Sequence, residues 1–224
     1  MLEAMIAVAI IGIVAALSAS TLAGVGGRNA KQNAVNDIYS ALQQARSRAQ
    51  NSVDVYAIFY PKMKKTGALT GGSGAIFIYE DGNGDFRVNS GSCDGSGQCG
   101  WSSFAPPNNI KPGVLSTTNP DKLLRVIYLD DYAKSNVEFA AATLTWTAPF
   151  SPIGAAANTN GCSFCASGNK GAILFTDNQA VFLGDDGKSL GSAFGGFALQ
   201  AKDNPANRTL VGIIRSTGLI SLQK

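Results

Sequence analysis

The chain opens with Met1-Leu-Glu-Ala-Met-Ile-Ala-Val-Ala-Ile-Ile-Gly-Ile-Val-Ala-Ala16, and no charged residue follows Glu3 until Arg28. The 24 residues from Ala4 to Gly27 are therefore uncharged. About 20 apolar residues cross a bilayer as an α-helix, which rises about 1.5 Å per residue. A secretory signal peptide would begin with basic residues and would have a shorter apolar core. The stretch predicts a helix that spans a membrane and stays attached to the mature protein.

Glu3 is the one ionisable residue at the edge of this apolar run. A carboxylate in that place is costly in lipid, so it calls for a partner. The alternative is that Glu3 interacts with the positive end of the helix dipole, which stabilises a helix by about 0.3–1 kcal/mol. The two interpretations are compatible, because both place the carboxylate at the start of a helix.

The residues that follow favour a continuation of this helix. A helix from about residue 2 to residue 52 would be roughly 75 Å long. Gly24, Gly26 and Gly27 are its weak point, because each glycine costs nearly 1 kcal/mol in a helix interior. Beyond them, apolar side chains recur at alternating steps of three and four residues, which places them on one helix face, at Val35, Ile38, Leu42, Ala45 and Ala49.

After Asn51 the sequence changes to short runs that are typical of β-strands and are separated by turn residues. Two hairpins are predicted, at 172–183 and 209–222, and sequential strands with short turns pair antiparallel. The other predicted strands are Val53–Tyr60, Ala75–Tyr79, Leu123–Leu129 and Val137–Trp146.

The pattern as a whole predicts an α+β fold with a long N-terminal α-helix packed on an antiparallel β-sheet head. Residues 1–27 are the expected membrane-spanning half of that helix, and residues 28–52 are its amphipathic continuation. Residues 53–224 form the expected β-rich globular head.

Composition narrows the classes of function. The formal net charge is +3, from 18 basic and 15 acidic residues, and so it does not indicate a nucleic-acid partner. The chain has no histidine. Most general-base, catalytic-triad and zinc-hydrolase sites use histidine, so we do not expect an enzyme.

The residues from Leu2 to Ala16 resemble the N-terminus of type IV pilins and type II secretion pseudopilins, in which a glutamate lies within an apolar run. The resemblance implies a pilin-like fold, removal of a leader by a prepilin peptidase, and methylation of the new N-terminal amine. Glu3 matches the family glutamate. The resemblance implies that this residue neutralises the amine of a neighbouring subunit when helices pack in a filament.

The match departs from the family at one point, since the family glutamate is fifth in the mature chain and here it is third. We expect either that the true start lies upstream of Met1 or that two residues have been trimmed, and Met1 is the candidate processed N-terminus. The implied partners are other subunits of the same filament, the prepilin peptidase and the inner-membrane assembly machinery. The implied location is the bacterial inner membrane before assembly and a periplasmic or cell-surface filament afterwards.

Three later segments, in family order, are similar to H-type minor pseudopilins and FimT/FimU-like minor pilins. They are Leu42–Gln50, Ile78–Asp85 and the closing hairpin Leu210–Leu222. DNA-binding members carry arginines after the last glycine, whereas this chain has Leu219-Ile-Ser-Leu222. That difference counts against DNA capture.

The four cysteines are Cys93, Cys99, Cys162 and Cys165, and they allow three disulfide connectivities. An extracytoplasmic head favours disulfides. We favour the local pairs Cys93–Cys99 and Cys162–Cys165, which would staple two loops rich in glycine and serine. A redox or zinc site is the alternative for Cys162-Ser-Phe-Cys165, but the flanking residues read as loop and the spacing is unusual for zinc.

Asp81-Gly-Asn-Gly-Asp85 resembles the first half of a calcium-binding loop, with Asp81, Asn83 and Asp85 as candidate ligands. Phe86 and Ser92 occupy the places where the EF-hand pattern has glycine and glutamate. The alternative is a plain turn between two strands. Asn207-Arg-Thr209 also matches the N-glycosylation triplet.

Three hypotheses of function follow. The leading one is a minor structural subunit of a type IV pilus-like filament or a type II secretion pseudopilus, which polymerises through its N-terminal apolar helix. The second is a major pilin that forms a homopolymer. The third is a filament-borne receptor or adhesin for DNA or a surface, with the aromatic and basic loop Tyr60-Pro-Lys-Met-Lys-Lys65 as its candidate binding segment.

Overall fold

The structure is a computed structural model of the chain. The structure describes most of the chain beyond residue 28, and within the first 28 residues it describes positions 11 and 13. The described residues are 11, 13, 29–51, 53–86, 100, 101, 104, 113–114, 121–132, 136–140, 144–153, 161–165, 170–177 and 179–223.

Helix α1, residues 29–49, is amphipathic along its whole length. Its apolar side chains are fully buried at every position of the predicted stripe, from Val35 to Ala49. The face that points to solvent carries mainly amide and hydroxyl side chains. These exposed residues are Asn29, Gln32, Asn33, Asn36, Ser40, Gln44, Ser47 and Arg48.

Ten strands form two sheets within the described residues, and neighbouring strands pair antiparallel. The six-stranded sheet has the order β3-β4-β2-β1-β6-β7, and the four-stranded sheet has the order β10-β9-β8-β5. Their bounds are β1 Asp54–Tyr60, β2 Ala75–Asp81, β3 Gly113–Val114, β4 Lys122–Tyr128, β5 Val137–Phe139, β6 Gly171–Thr176, β7 Gln179–Leu183, β8 Phe194–Ala201, β9 Asn204–Ile214 and β10 Ile220–Gln223.

The six-stranded sheet is buried on both faces, which strand β1 shows residue by residue. Val55, Ala57 and Phe59 join the core beneath α1, whereas Tyr56, Ile58 and Tyr60 join a second cluster on the opposite face. Successive side chains of a strand point to opposite faces, so burial on both sides gives an uninterrupted apolar run. The second cluster is largely aromatic and includes Phe77, Tyr79, Phe86, Trp101 and Phe104.

The first core joins α1 to both sheets. Phe197 and Leu199 of β8, Val211 and Ile213 of β9, and Ile220 of β10 belong to the same buried cluster as the helix stripe. The helix therefore packs on the inner faces of both sheets.

The predicted α+β fold with a long N-terminal helix is wrong for the described structure, which is mostly β. Helix α1 covers residues 29–49, and ten strands form two antiparallel sheets within the described residues. Among the residues that could be searched, none lies in a helix long and apolar enough to cross a membrane. The predicted membrane-spanning half, residues 1–27, lies outside the described residues apart from Ile11 and Ile13.

The strand pattern departs from the sequence-based prediction in two further places. Strand β5 ends at Phe139, and Trp146 packs on Phe150 against the outer face of the four-stranded sheet. Strand β8 was not predicted, because Gly195 and Gly196 interrupt its apolar pattern. Both glycines are required by packing: an added Cβ would lie 2.3 Å from the ring of Phe182 at Gly195 and 2.4 Å from the ring of Trp146 at Gly196.

Replacing Ile38 tests the central role of the α1 stripe. Ile38 lies on the face of α1 that packs on the sheets, and it is fully buried. We expect Ile38→Ala to lower the free energy of unfolding by about 2–5 kcal/mol, since it removes buried methyl groups and leaves a cavity. Chemical denaturation of the full chain in mild detergent measures this change. The exposed Ser40→Ala should change it by less than about 0.5 kcal/mol; equal losses in both variants would contradict the packing.

Candidate functional site

Several candidate residues from the sequence lie outside the part of the chain that the structure describes. Met1, Glu3, Cys93 and Cys99 lie outside the described residues, so their predicted roles remain predictions. Within the N-terminal apolar segment the structure describes Ile11 and Ile13, which are helical. Their exposed fractions are 68% and 62%, so these isoleucine side chains are largely uncovered in the single chain.

Ion pairs attach α1 to the six-stranded sheet at two positions along the helix axis. Near its middle, Asp37 accepts hydrogen bonds from Arg125 Nη2 at 3.3 Å and from the Tyr132 hydroxyl at 2.5 Å. Near its end, Arg48 Nη1 lies 3.1 Å from Glu80 Oε2, and Lys122 Nζ lies 3.3 Å from the other oxygen of Glu80. The Glu80 side chain is 9% exposed, so this pair is partly shielded from solvent.

The predicted calcium loop lies at the end of β2, and the structure brings a further acid to it. Asp81 and Asp85 come together with Asp121, which directly precedes β4, and one oxygen from each lies within 4.8 Å of the others. Asp81 and Asp121 are 2% and 1% exposed. Aspartate oxygens are hard ligands that suit calcium, so these three could hold a cation.

Backbone and hydroxyl donors orient the two buried carboxylates. Asp81 accepts from the backbone amides of Gly84 at 2.8 Å and of Phe86 at 3.1 Å. Asp121 accepts from the Tyr79 hydroxyl at 2.5 Å and from the backbone amide of Gly82 at 2.9 Å. The Asp81–Phe86 loop is therefore held closed around its acidic centre.

The third candidate ligand, Asn83, lies beside this group and is bonded to Asp85. Its amide nitrogen donates to Asp85 Oδ2 at 2.9 Å, and its oxygen accepts from the backbone amide of Asp85 at 3.1 Å. Asp85 Oδ1 is buried and has no hydrogen-bond donor among the described residues. Sequence reasoning missed Asp121, because the pairing of β2 with β4, and no local pattern, brings it to the loop.

Burial raises the pKa of the Asp81 carboxyl above 3.8, and the negative charges of Asp121 and Asp85 add to the increase. Hydrogen bonds from the amides of Phe86 and Gly84 act in the opposite direction. Burial also raises the pKa of Tyr79, and its hydrogen bond to Asp121 contributes in the same sense. The site therefore concentrates negative charge that a proton or a cation would relieve.

Cys162 and Cys165 form a disulfide with a Cα–Cα distance of 5.2 Å, which is one of the two local pairs expected from the sequence. Both residues are fully buried. The loop is tied to β8, since the Ser163 amide donates to the Gly196 carbonyl at 2.8 Å and the Gly196 amide donates to Ser163 Oγ at 2.9 Å. Burial of both sulfur-bearing residues favours a structural staple over a redox centre that must be reached by a partner.

The loop that would carry a receptor function does not present an aromatic side chain. Tyr60 is 2% exposed, and its hydroxyl donates to the Phe104 carbonyl. Lys65 is paired with Asp131 at 2.5 Å. Lys62 and Lys64 remain exposed on this loop. Without an accessible ring for stacking, the arrangement gives little support to a DNA-binding role.

The glycosylation triplet lies inside strand β9. Thr209 is 3% exposed, and Asn207 Oδ1 accepts a hydrogen bond from Lys31 Nζ at 2.5 Å. A transferase needs both side chains accessible, so this arrangement disfavours modification of the folded chain.

Comparisons of the chain with protein-family models, with curated proteins and with solved structures found no match.

Replacing Asp85 tests whether the three close carboxylates of Asp81, Asp85 and Asp121 repel one another. Asp85→Asn removes one of three close carboxylates, so it should lower the pKa of Asp81 and raise the free energy of unfolding at pH 7 by a few tenths of a kcal/mol to about 1 kcal/mol. The folded chain binds a proton at Asp81 more tightly than the unfolded chain. This carboxyl therefore contributes stability below pH 3.8 that is lost as the pH rises through its folded pKa.

The gain from Asp85→Asn should accordingly shrink as the pH falls through the raised pKa of Asp81, since a protonated Asp81 is no longer repelled. Carbon-13 NMR titration of Asp81 and denaturation at several pH values measure both effects. Asp203→Asn, on the exposed turn before β9, is the control and should change neither. An unchanged Asp81 pKa in Asp85→Asn would contradict the coupling.

Mass spectrometry of non-reduced peptides tests the disulfides. We expect Cys162 linked to Cys165 and Cys93 linked to Cys99, with no free thiol in the folded chain. A link between Cys93 and Cys165, or thiols that react with an alkylating reagent before unfolding, would overturn the local pairing.

Proposed function

We propose that this chain is a structural subunit of a type IV pilus-like filament or a type II secretion pseudopilus, and that it polymerises through its N-terminal apolar segment. The observation that carries the proposal is the uncharged run from Ala4 to Gly27 directly after Glu3. Such a segment is stable in a bilayer, and burial among copies of itself also removes its apolar surface from water. The same residues can therefore serve a membrane-bound subunit and an assembled one.

The exposure of Ile11 and Ile13 supports this reading. Fully burying an isoleucine side chain is worth about 1.5–3 kcal/mol. At exposed fractions of 68% and 62%, most of that free energy is still to be gained. Lipid or a second apolar segment would supply it.

The attachment of α1 to the head supports a role in which force on the N-terminal segment is transmitted to the head. The segment that follows the apolar run is held by a buried stripe and by the ion pairs Asp37–Arg125 and Arg48–Glu80. Pulling on the N-terminal segment would therefore act on the whole two-sheet head, as a filament subunit requires.

Within this class we propose a minor subunit, because the three later segments resemble minor pilins and pseudopilins. A major subunit is the second candidate. Quantitative mass spectrometry of sheared filaments separates them: a minor subunit should be present at a small fraction of the most abundant pilin, whereas a major subunit should dominate.

Replacing Glu3 tests the assembly mechanism. A carboxylate and an ammonium group excluded from water are each costly alone and compensate only together. We expect Glu3→Ala to accumulate in the inner membrane at wild-type level and to be lost from sheared filaments by at least about tenfold, which corresponds to about 1.4 kcal/mol. Immunoblots of the membrane and filament fractions measure both pools.

Two further variants sharpen the test. Glu3→Gln keeps the hydrogen-bonding atoms but removes the charge, so it should also be lost from filaments. Asp203→Ala removes an exposed carboxylate from the head and should assemble normally. Wild-type incorporation of Glu3→Ala would reduce Glu3 to a helix-dipole partner, whose loss costs at most about 1 kcal/mol at an exposed end.

A further inference from the structure

A polar cleft of about 410 Å³ is lined by the loop that joins β1 to β2, by strand β5 and by the end of β8. Sites for small molecules commonly measure about 300–1,000 Å³, so this cleft has the size of a ligand site. Its side chains include two lysines, a carboxylate, an amide and two apolar rings. These residues are Lys62, Lys202, Glu138, Gln200, Pro61 and Phe139.

Gln200 contributes a hydrogen-bond acceptor that lacks a donor. Glu138 of β5 lies directly opposite Gln200 of β8, and Gln200 Nε2 donates to Glu138 Oε1 at 2.8 Å. A carboxylate only accepts hydrogen bonds, so this contact fixes which way the amide group faces. Gln200 Oε1 is buried and has no donor among the described residues. A ligand that donates to this oxygen would recover the free energy lost by its burial.

Hydrogen bonds hold the walls of the polar cleft in place. The Gly72 amide donates to the Lys62 carbonyl at 2.8 Å, which closes the loop on itself. The Phe139 amide donates to the Ser73 carbonyl at 3.4 Å, and Lys202 Nζ donates to Ser73 Oγ at 2.9 Å. The loop is thereby tied to β5 and to the end of β8. A cleft that is already formed costs less conformational entropy when a ligand binds.

The mixture of polar groups narrows the class of ligand. The ammonium groups of Lys62 and Lys202 only donate hydrogen bonds, whereas the Glu138 carboxylate and Gln200 Oε1 only accept them. Because charges of both signs line the cleft, neither an anionic nor a cationic ligand matches its whole surface. A hydroxyl group both donates and accepts, so a ligand with several hydroxyls can pair with all of these groups.

We propose that the polar cleft binds an uncharged sugar. Neighbouring hydroxyls donate to Gln200 Oε1 and Glu138, and they accept from Lys62 and Lys202. The rings of Pro61 and Phe139 supply apolar surface for the C–H groups of the sugar. The inference goes beyond the proposed function and does not depend on it, because every residue of the cleft belongs to the head.

The test uses the full chain in a polyoxyethylene detergent, since an alkyl glycoside detergent would itself present a sugar. The probes are the methyl glycosides of glucose, galactose, mannose and N-acetylglucosamine, with glucuronate and glucosamine as charged counterparts. We expect saturation-transfer difference NMR to detect at least one neutral glycoside, with a Kd on the order of 1 mM for a ligand of this size. No transfer to any neutral glycoside would overturn the proposal, as would tighter binding of glucuronate or glucosamine.

Two pairs of variants locate the binding. Gln200→Leu removes the unpaired acceptor, so it should weaken binding of the detected glycoside about threefold to tenfold. Gln44→Leu, on the solvent-facing side of α1, is its control and should leave the Kd unchanged. Lys62→Met removes one donor from an exposed side chain and should weaken binding about threefold. Lys188→Met, in the exposed turn after β7, is the control for that change.

Thermal unfolding decides which variant is used to judge the proposal. Where Gln200→Leu folds, an unchanged Kd in this variant would overturn the proposed site. Where it does not fold, Lys62→Met decides, because this exposed side chain contributes little to folding. An equal loss of binding in a variant and its control would also overturn the site, since the sugar would then bind elsewhere.

Discussion

Burial of the apolar stripe of α1 is the interaction on which the rest of the structure depends. The stripe contacts strands of both sheets, so the same side chains close the six-stranded sheet and the four-stranded sheet over one core. Burying each Val, Leu or Ile is worth about 1.5–3 kcal/mol. Without the helix, the apolar inner faces of both sheets would be exposed to water.

The ion pairs of α1 fix the position of the helix along its axis, which apolar burial alone does not do. A buried stripe of alanine and aliphatic side chains would tolerate a helix shifted along its axis. Two sets of contacts fix the position of the helix along its axis. Asp37 accepts hydrogen bonds from Arg125 and Tyr132, and Arg48 pairs with Glu80. Exposed ion pairs contribute up to about 1 kcal/mol each. Their role is therefore to set register, while the free energy of packing comes from the stripe.

Sequence patterns predicted the local elements well where periodicity was clean. The stripe from Val35 to Ala49 and the hairpins β6–β7 and β9–β10 lie where the pattern placed them. The division into two sheets was not predicted, because strand order depends on contacts between distant segments. Strand β8 was missed because its two glycines make room for Phe182 and Trp146, which are remote in sequence.

The acidic site shows that prediction of a site from the sequence has the same limit. Asp81 and Asp85 belong to a local pattern and could be singled out, whereas Asp121 joins them only through the pairing of β2 with β4. The lining of the polar cleft likewise combines residues 61–72 with residues 138–139 and 200–202. A site assembled by tertiary contacts leaves no spacing signature in the chain.

The distribution of charge on α1 has a consequence for assembly. Asp37 and Arg48 bond to the head, Lys31 is buried and Arg46 is half-buried, so the other exposed side chains of the helix are amides and hydroxyls. Bringing an ion out of water costs several kcal/mol, whereas an amide that finds a hydrogen bond costs much less. A partner that packed along this face would therefore strip water from few charges. The helix uses one face for its own head, and burial of the other face would carry a low desolvation cost.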